Sequence, residues 1–272
     1  MVDKLALMMF ASKSNTEGAI FTKENNASKK IGLIGCGAIG TLIAEAVEGG
    51  LVKCDELILY DYDGKKAEQL KISLLFPTTI VTSLHEMIKI RPSVIVEAAS
   101  QQAARDYVER IISADIDLIV MSTGALLSLD VHSQKIHLPS GAIGGLDALS
   151  SAALAGIEEV VLTSKKNPRA FDLNNKERKV VYEGSAEEAA ALYPREMNVA
   201  ATLALTVKPA RVRVQMVSDP AVKRNTHEFQ VRWRLGEMFF SFANDPHPEN
   251  PRTSALAAWS AIRLLQTLLE TQ

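Results

Sequence analysis

Residues 35–40 of this chain, Gly-Cys-Gly-Ala-Ile-Gly, restrict the folds open to it more than any other stretch. The apolar run at residues 31–34 precedes them and predicts a buried strand, and residues 41–47 follow with helical spacing. A strand, a glycine turn and a helix in this order are typical of a dinucleotide-binding unit. A tight strand–helix turn without a ligand is the alternative, because glycines cluster in many turns.

Each position of the turn has a predicted role. Gly35 permits the tight turn, Gly37 lets the backbone approach a pyrophosphate, and Gly40 allows the helix to pack closely on the strand. The helix that follows begins beside the expected pyrophosphate, and its first backbone N–H groups, which have no acceptor in the helix, point at that negative charge. Ala38 and Ile39 therefore join the three glycines as predicted cofactor-binding residues.

An acidic residue ends the next predicted strand, at residues 56–60. Asp61 lies about 20 residues beyond the turn, where a carboxylate accepts hydrogen bonds from the adenosine ribose. Its charge repels a 2′-phosphate and so favours NAD over NADP. Lys65 and Lys66 weaken that preference, and NADP stays possible.

The fold class follows from the order of the predicted elements. Up to residue 121, apolar strands alternate with helices, which is typical of a doubly wound parallel sheet of the Rossmann type. After residue 144 the strands alternate apolar and polar residues, which predicts a second α+β domain with an open, mostly antiparallel sheet. We expect a mobile extension or a short added helix at 1–29, a dinucleotide-binding domain at 30–143, a catalytic and oligomerisation domain at 144–247, and a returning C-terminal helix at 248–272.

Composition limits the partners. Of the 272 residues, 47% are hydrophobic and 23% charged, and the net charge of −2 leaves no basic surplus for nucleic acid. No apolar run is long enough to span a bilayer, and no cysteine or histidine spacing predicts a metal site. Only Cys36 and Cys54 are present, which fits a reducing cytoplasm. We therefore expect a small-molecule ligand.

Small residues follow two further predicted strands, at 97–100 and 122–125. Ligands of an open parallel sheet bind beyond the carboxyl ends of its strands, so Ala99 and Ser100 leave room for the nicotinamide ribose. An equally good interpretation is that these residues simply begin helices. Residues 139–149 hold three glycines and predict a loop where the first domain meets the second.

Five later segments accompany the glycine turn in consistent order over residues 30–269, and with it they resemble L-aspartate dehydrogenases. They are Val96-Glu97-Ala98-Ala99-Ser100, residues 139–149, Asn198-Val199-Ala200-Ala201-Thr202, Asn225-Thr226-His227-Glu228 and Asn250-Pro251-Arg252-Thr253-Ser254.

The resemblance implies NAD(P)-dependent oxidative deamination of L-aspartate to oxaloacetate and ammonia through iminoaspartate, which in many members of the family supplies NAD biosynthesis. It also implies that Ala142 and Asn198 contact the cofactor and that His227 is the catalytic histidine. An imidazole with a pKa near 6.5 suits the proton transfers of this reaction.

The chain departs from the family pattern at residues 126–138, where a longer, helix-bearing segment is usual. Two alternatives therefore stay open. One is a dehydrogenase of another amino acid or of a homoserine-like substrate, and the other is a non-catalytic NAD-binding protein.

Binding a dicarboxylate requires cations or amide donors. Thr253 and Ser254 either donate hydrogen bonds to the substrate or cap the last helix. The sequence does not choose among the candidate cations, which are Lys165, Lys166, Arg169, Lys223, Arg224 and Arg252.

The open sheet of the second domain predicts a homodimer or a higher homo-oligomer. In the last helix we expect burial of Leu256, Ala257, Trp259, Ile262, Leu265 and Leu268.

Overall fold

A computed structural model describes residues 28–194, 196–247 and 250–270. Nearly all of the predicted extension at 1–29 lies outside these ranges, so its prediction is untested. The first half forms a six-stranded parallel sheet in the order β3-β2-β1-β4-β5-β6, which confirms the doubly wound fold. Its strands are β1 (Lys30–Ile34), β2 (Glu56–Tyr60), β3 (Thr78–Ile80), β4 (Val94–Glu97), β5 (Asp117–Val120) and β6 (Ile136–His137).

Helices cover both faces of this sheet. Leu42, Ile43, Ala46 and Val47 are buried, as the helical spacing predicts. The chain between β5 and β6 carries only a 3-10 turn, Thr123–Leu127, and the edge strand β6 has two residues. The short segment at 126–138 thus still completes the sixth strand. The helices are α1 (Ala38–Glu48), α2 (Gly64–Ser73), α3 (Leu84–Ile90) and α4 (Gln101–Ser113).

The second half forms a five-stranded sheet in the order β11-β10-β7-β9-β8. The predicted antiparallel pairing holds at every step except β7–β9, which is parallel. Helices α5 (Leu146–Ala155), α6 (Ala186–Leu192) and α7 (Asn198–Thr206) are the helices of this half. The strands are β7 (Ile157–Lys166), β8 (Lys179–Ser185), β9 (Val212–Ser218), β10 (Asn225–Trp233) and β11 (Gly236–Asn244).

One face of the five-stranded sheet carries the apolar core of this half. Val160 and Leu162 of β7, Val214 of β9 and Phe229 of β10 are at most 1% exposed and pack in one cluster. The opposite face holds the alternate residues, among them Gln230, which is exposed. Burial of one face only explains the alternating pattern of these strands.

The glycine run at 139–149 is only partly a loop, which corrects the sequence prediction. Gly141 and Gly145 have φ angles of 68° and 75°, and α5 begins at Leu146 directly after Gly145. A Cβ on Gly145 would lie 3.0 Å or less from the ring of Phe240. The glycines are therefore needed for the turn and for the packing of the Phe240 ring. Because a run of glycines indicates a loop, the helix that follows was not predicted.

The chain ends with the strand pair β12 (Pro246–His247) and β13 (Asn250–Ser254) and the helix α8 (Ala255–Glu270). Helix α8 returns to the six-stranded half, where Ile262 and Leu265 pack in the same core as α1. The prediction of burial was wrong for Leu256 and Trp259, which are 37% and 38% exposed. Within the described residues, no helix has both the length and the apolar character that crossing a membrane requires.

Candidate active site

The glycine turn joins three parallel strands at their carboxyl ends. The Gly35 N–H donates to the Tyr60 carbonyl at 2.8 Å, and Gly35 has a φ of 96°. A Cβ on Gly35 would lie 2.7 Å from the carbonyl carbon and oxygen of Ala98. Only glycine fits here, because both the backbone angle and the space against the neighbouring strand exclude a side chain.

The other two glycines differ in their surroundings. A Cβ on Gly37 would meet no atom within 4 Å, whereas one on Gly40 would overlap the Gly35 carbonyl oxygen. Gly37 thus leaves open space in front of the N-terminus of α1. Gly40 allows α1 to pack closely against the backbone of the turn at Gly35. The first N–H groups of a helix, here those of Ala38 and Ile39, have no acceptor within it. These features fit a dinucleotide pyrophosphate.

Asp61 lies beside this turn. Its carboxylate accepts hydrogen bonds from the backbone N–H of Cys36 at 2.8 Å and of Asp63 at 2.9 Å. Burial and the charge of Asp61 raise the pKa of the Cys36 thiol to about 12, although Lys66 acts in the opposite direction. The thiol is therefore protonated. The structure places the Asp61 carboxylate against the glycine turn, and its contact with the adenosine ribose stays a prediction.

Glu97, at the end of β4, is a buried carboxylate that the sequence analysis did not single out. It is 1% exposed and accepts hydrogen bonds from the backbone N–H groups of Ala99, Ser100 and Ser122 and from the Ser122 hydroxyl, at 2.9–3.0 Å. Burial raises the pKa of Glu97, and the four donated hydrogen bonds oppose that shift. The carboxylate ties together the loops that follow β4 and β5.

This arrangement bears on the two predicted ribose contacts. The N–H groups of Ala99 and Ser100 already donate to Glu97. The Ser100 hydroxyl accepts from the Ala103 N–H and caps α4. The two N–H groups thus hold Glu97 and the Ser100 hydroxyl begins the helix, while a contact of either residue with the nicotinamide ribose stays a prediction.

A cleft lies where the two halves of the chain meet. Ile39 and Ala142 line it from the six-stranded half, Asn198 and His227 from the five-stranded half, and Thr253 from the segment before α8. Four predicted site residues thus meet in one cleft. The others do not line it: Gly35, Gly37, Ala38, Gly40, Asp61, Ala99 and Ser100.

Asn198 and Ala142 both line the cleft, and each is held by hydrogen bonds. The Asn198 carbonyl accepts from the Thr123 hydroxyl at 2.9 Å, and its side-chain oxygen lies 3.5 Å from the Gly124 nitrogen. The Ala142 carbonyl accepts from the Asn244 side chain at 2.8 Å. These bonds connect the loop after β5 to α7 and the glycine run to β11, and so position both residues at the cleft.

His227 lies on β10, directly opposite Ser164 of β7. It is 2% exposed, and its Nδ1 is 2.8 Å from the Ser164 hydroxyl oxygen. Burial, and to a lesser extent the charge of Lys166, lowers the pKa of His227 to about 3. The imidazole is therefore neutral at physiological pH but a weaker base than the free side chain, which corrects the pKa near 6.5 that the sequence analysis expected.

Sequence reasoning missed Ser164 and Glu97 and did not distinguish Lys166 from the other candidate cations. Lys166 is 3% exposed and lines the cleft. The sequence pattern of β7 could have identified Ser164 and Lys166. Side chains of a strand alternate between its two faces, so residues 164 and 166 lie on the same inner face as the buried Val160 and Leu162. In the part of the chain that the structure describes, no three histidine, cysteine or acidic side chains are grouped to bind a metal.

Two family models match the chain. Residues 147–268 match "Aspartate dehydrogenase, C-terminal", and residues 35–138 match "Homoserine dehydrogenase, NAD binding domain". The division between the models falls in the glycine run between the two sheets.

Similar proteins cover nearly the whole chain. L-aspartate dehydrogenase of Archaeoglobus fulgidus is 42% identical over 88% of this chain and 98% of its own, and that of Methanothermobacter thermautotrophicus is 40% identical over 88% and 96%. The solved aspartate dehydrogenase of Thermotoga maritima superposes with a TM-score of 0.70 at 29% identity, covering 89% of this chain and 97% of its own. This chain belongs to the L-aspartate dehydrogenase family.

Proposed function

We propose that this protein catalyses the reversible, NAD(P)-dependent oxidative deamination of L-aspartate to oxaloacetate and ammonia through iminoaspartate. The observation that carries the proposal is the position of His227, a buried and neutral imidazole that lines a cleft shared with Ile39, Ala142 and Asn198. The relatives with this activity in their names cover 88% of the chain, which supports the same substrate.

The cofactor has a matching site in the first half of the chain. The open space at Gly37, the N-terminus of α1 and the Asp61 carboxylate suit the pyrophosphate and the adenosine ribose. Bound NAD supplies the acceptor for the hydride that leaves the substrate Cα. Ala142 and Asn198 border the nicotinamide end of the cleft in this proposal.

His227 moves the protons. The Ser164 hydroxyl occupies Nδ1, so Nε2 is the ring nitrogen that remains for the substrate. The neutral imidazole takes a proton from the substrate ammonium, and the Cα–H bond then breaks with its electron pair to leave a C=N bond. The imidazole passes that first proton to solvent and becomes neutral again. Water then adds to the C=N carbon, with His227 removing a proton from it, and this proton moves to the nitrogen. As the C–N bond breaks, ammonia departs and the remaining hydroxyl loses its proton to give the ketone of oxaloacetate.

The Asp61 carboxylate favours NAD as the cofactor, and NADP is also accepted. The enzyme is cytoplasmic, and its imine product supplies NAD biosynthesis. The dinucleotide-binding domain spans 30–143, the catalytic domain 144–247, and residues 248–272 return to the first domain. The outer face of the five-stranded sheet, where Phe239 is 62% and Val180 46% exposed, is where a second copy binds in a homodimer.

The test is the reverse reaction, followed as loss of NADH or NADPH absorbance with oxaloacetate and ammonia. We expect turnover with NADH, and a His227→Ala variant that loses at least about a hundredfold in turnover while its NADH affinity by calorimetry is unchanged. Turnover with homoserine or another amino acid in place of aspartate favours the other-dehydrogenase alternative. Calorimetric NADH binding without turnover of any amino acid indicates a non-catalytic binding protein.

A further inference from the structure

Lys165 and Lys166 are adjacent on β7 and lie on opposite faces of the five-stranded sheet. The Lys165 ammonium is on the outer face, 2.7 Å from a carboxylate oxygen of Glu228. Lys166 is on the inner face, 3% exposed, and lines the cleft. Strand alternation thus brings one ammonium of the pair to the active site and leaves the other at the surface.

The remaining candidate cations lie elsewhere. Arg224 is exposed, with its Nε 2.9 Å from Asp245, and Arg169 and Lys223 line a separate surface hollow. The Arg252 side chain lies outside the described part of the structure. Among described side chains, Lys166 is therefore the only lysine or arginine that lines the cleft.

Lys166 is also a close neighbour of the catalytic imidazole. Ser164 pairs directly with His227 between β7 and β10, and Lys166 is two residues further along on the same face. Such diagonal neighbours on one face of a sheet are within reach of long side chains. Its positive charge acts on the ring, where it adds to the lowering of the His227 pKa.

We propose that Lys166 binds the side-chain carboxylate of the substrate and thereby selects a dicarboxylate amino acid over its neutral analogues. The inference rests on the proposed aspartate activity and deepens it, because it assigns the substrate preference to one residue.

The charges on the substrate determine which end faces Lys166. The α-amine must meet His227 to lose its proton, and an ammonium repels a second ammonium placed beside it. The α-carboxylate is on the same carbon as the amine, whereas the side-chain carboxylate is one carbon further away. Lys166 therefore faces the side-chain carboxylate, and the burial of Lys166, which is 3% exposed, strengthens this charge-assisted contact.

The contact also connects substrate binding to proton transfer. A carboxylate on Lys166 offsets the positive charge that the imidazole experiences, so the pKa of His227 rises in the complex and its proton affinity increases. Lys166 and Glu196 are the charged side chains that share the described cleft lining with His227. A monocarboxylate such as L-asparagine leaves the Lys166 charge in place and forms a less reactive complex.

The experiment compares Lys166→Met, Lys166→Arg and the control Lys165→Met with the wild type. Methionine fills the buried position without charge, and thermal unfolding verifies that each variant folds. We expect Lys166→Met to raise the KM for L-aspartate at least about 30-fold, the size of losing one partner of a buried charge pair. Its kcat/KM for L-asparagine does not fall, because removing the charge also relieves the lowering of the His227 pKa, and its calorimetric NADH affinity stays at the wild-type value. Lys166→Arg recovers part of the loss on aspartate, and Lys165→Met behaves as the wild type.

A second readout uses binding alone. Succinate carries two carboxylates and no amine, and calorimetry on the NAD complex should show its affinity falling at least tenfold in Lys166→Met. An unchanged KM for aspartate, or equal losses on aspartate and asparagine, overturns the assignment. If the wild type itself does not oxidise aspartate, the proposed function fails, and that result is distinct from failure of the Lys166 assignment.

Discussion

Two alanine substitutions in the glycine turn, three residues apart, are expected to act on different properties. A methyl group on Gly37 enters open space, because no atom lies within 4 Å of that Cβ position. A methyl group on Gly40 overlaps the carbonyl oxygen of Gly35 and lies 3.1 Å from its carbonyl carbon. Both neighbours on the Gly40 side are backbone atoms, so the helix α1 and the turn must separate.

The magnitudes follow from these contacts. Overpacking against backbone costs about 3 kcal/mol, and the better helix propensity of alanine returns about 1 kcal/mol, so Gly40→Ala loses roughly 2 kcal/mol of unfolding free energy. For a protein of this size that lowers Tm by roughly 4–8 °C. Gly37 has a φ of −84°, which alanine adopts freely, so Gly37→Ala gains about 0.5 kcal/mol from the unfolded state.

Cofactor affinity separates the two variants further. The Gly37 methyl occupies the space in which a pyrophosphate approaches the backbone, and weakening one charge-assisted hydrogen bond there reduces NADH affinity at least about tenfold. Urea unfolding and calorimetric titration with NADH measure the two properties separately. Wild-type NADH affinity in Gly37→Ala would refute the assignment of the turn, and wild-type stability in Gly40→Ala would refute the packing argument.

Three further predictions concern titratable groups. Glu97→Gln places an amide donor against one of the four donors around that carboxylate, and we expect a loss of about 1.5–3 kcal/mol in urea unfolding. The folded-state pKa of His227 is about 3 against 6.5 for the free side chain, so its contribution to stability is present above pH 6.5 and is lost as pH falls toward 3. Between pH 6.5 and 4.5 the wild type should therefore lose about 2 kcal/mol more than His227→Gln. Asp61→Ser removes the charge that opposes a 2′-phosphate, so the ratio of kcat/KM with NADPH to that with NADH should rise at least about tenfold.

Controls make these outcomes decisive. Glu68 is an exposed carboxylate on α2, and Glu68→Gln should leave stability unchanged. Parallel pH dependences in the wild type and His227→Gln would show that the imidazole titrates normally in the folded state. An unchanged cofactor ratio in Asp61→Ser would place the adenosine ribose away from that carboxylate.

The sequence predicted the first half of the fold well because its signals are local. Strands buried on both faces, such as β4, are continuous apolar runs, and glycines mark the turn to α1. Strand β6 was missed because two residues at a sheet edge carry no periodicity. Helix α5 was missed because the glycines before Leu146 indicated a loop, although Gly145 serves as the start of the helix.

The candidate site was predictable only in part. The resemblance to a family named His227, but the sequence did not show which cation lies near it. That depends on the pairing of β7 with β10, which places Ser164 opposite His227 and Lys166 on the same face. Glu97 was missed for a similar reason, since two of its four hydrogen bonds come from Ser122 on a different strand end. Such contacts depend on the assembled sheet and have no counterpart in local sequence.

The central claim is that hydride leaves the Cα of L-aspartate in the cleft that holds His227. The most direct measurement is incubation of the protein with L-aspartate deuterated at Cα and NAD, followed by mass spectrometry of the reduced cofactor and the organic product. We predict one deuterium in the reduced cofactor, with oxaloacetate and ammonia formed in equal amounts, and almost none of these products with His227→Ala. Reduced cofactor without deuterium, or no reduction while NAD is bound, would contradict the account.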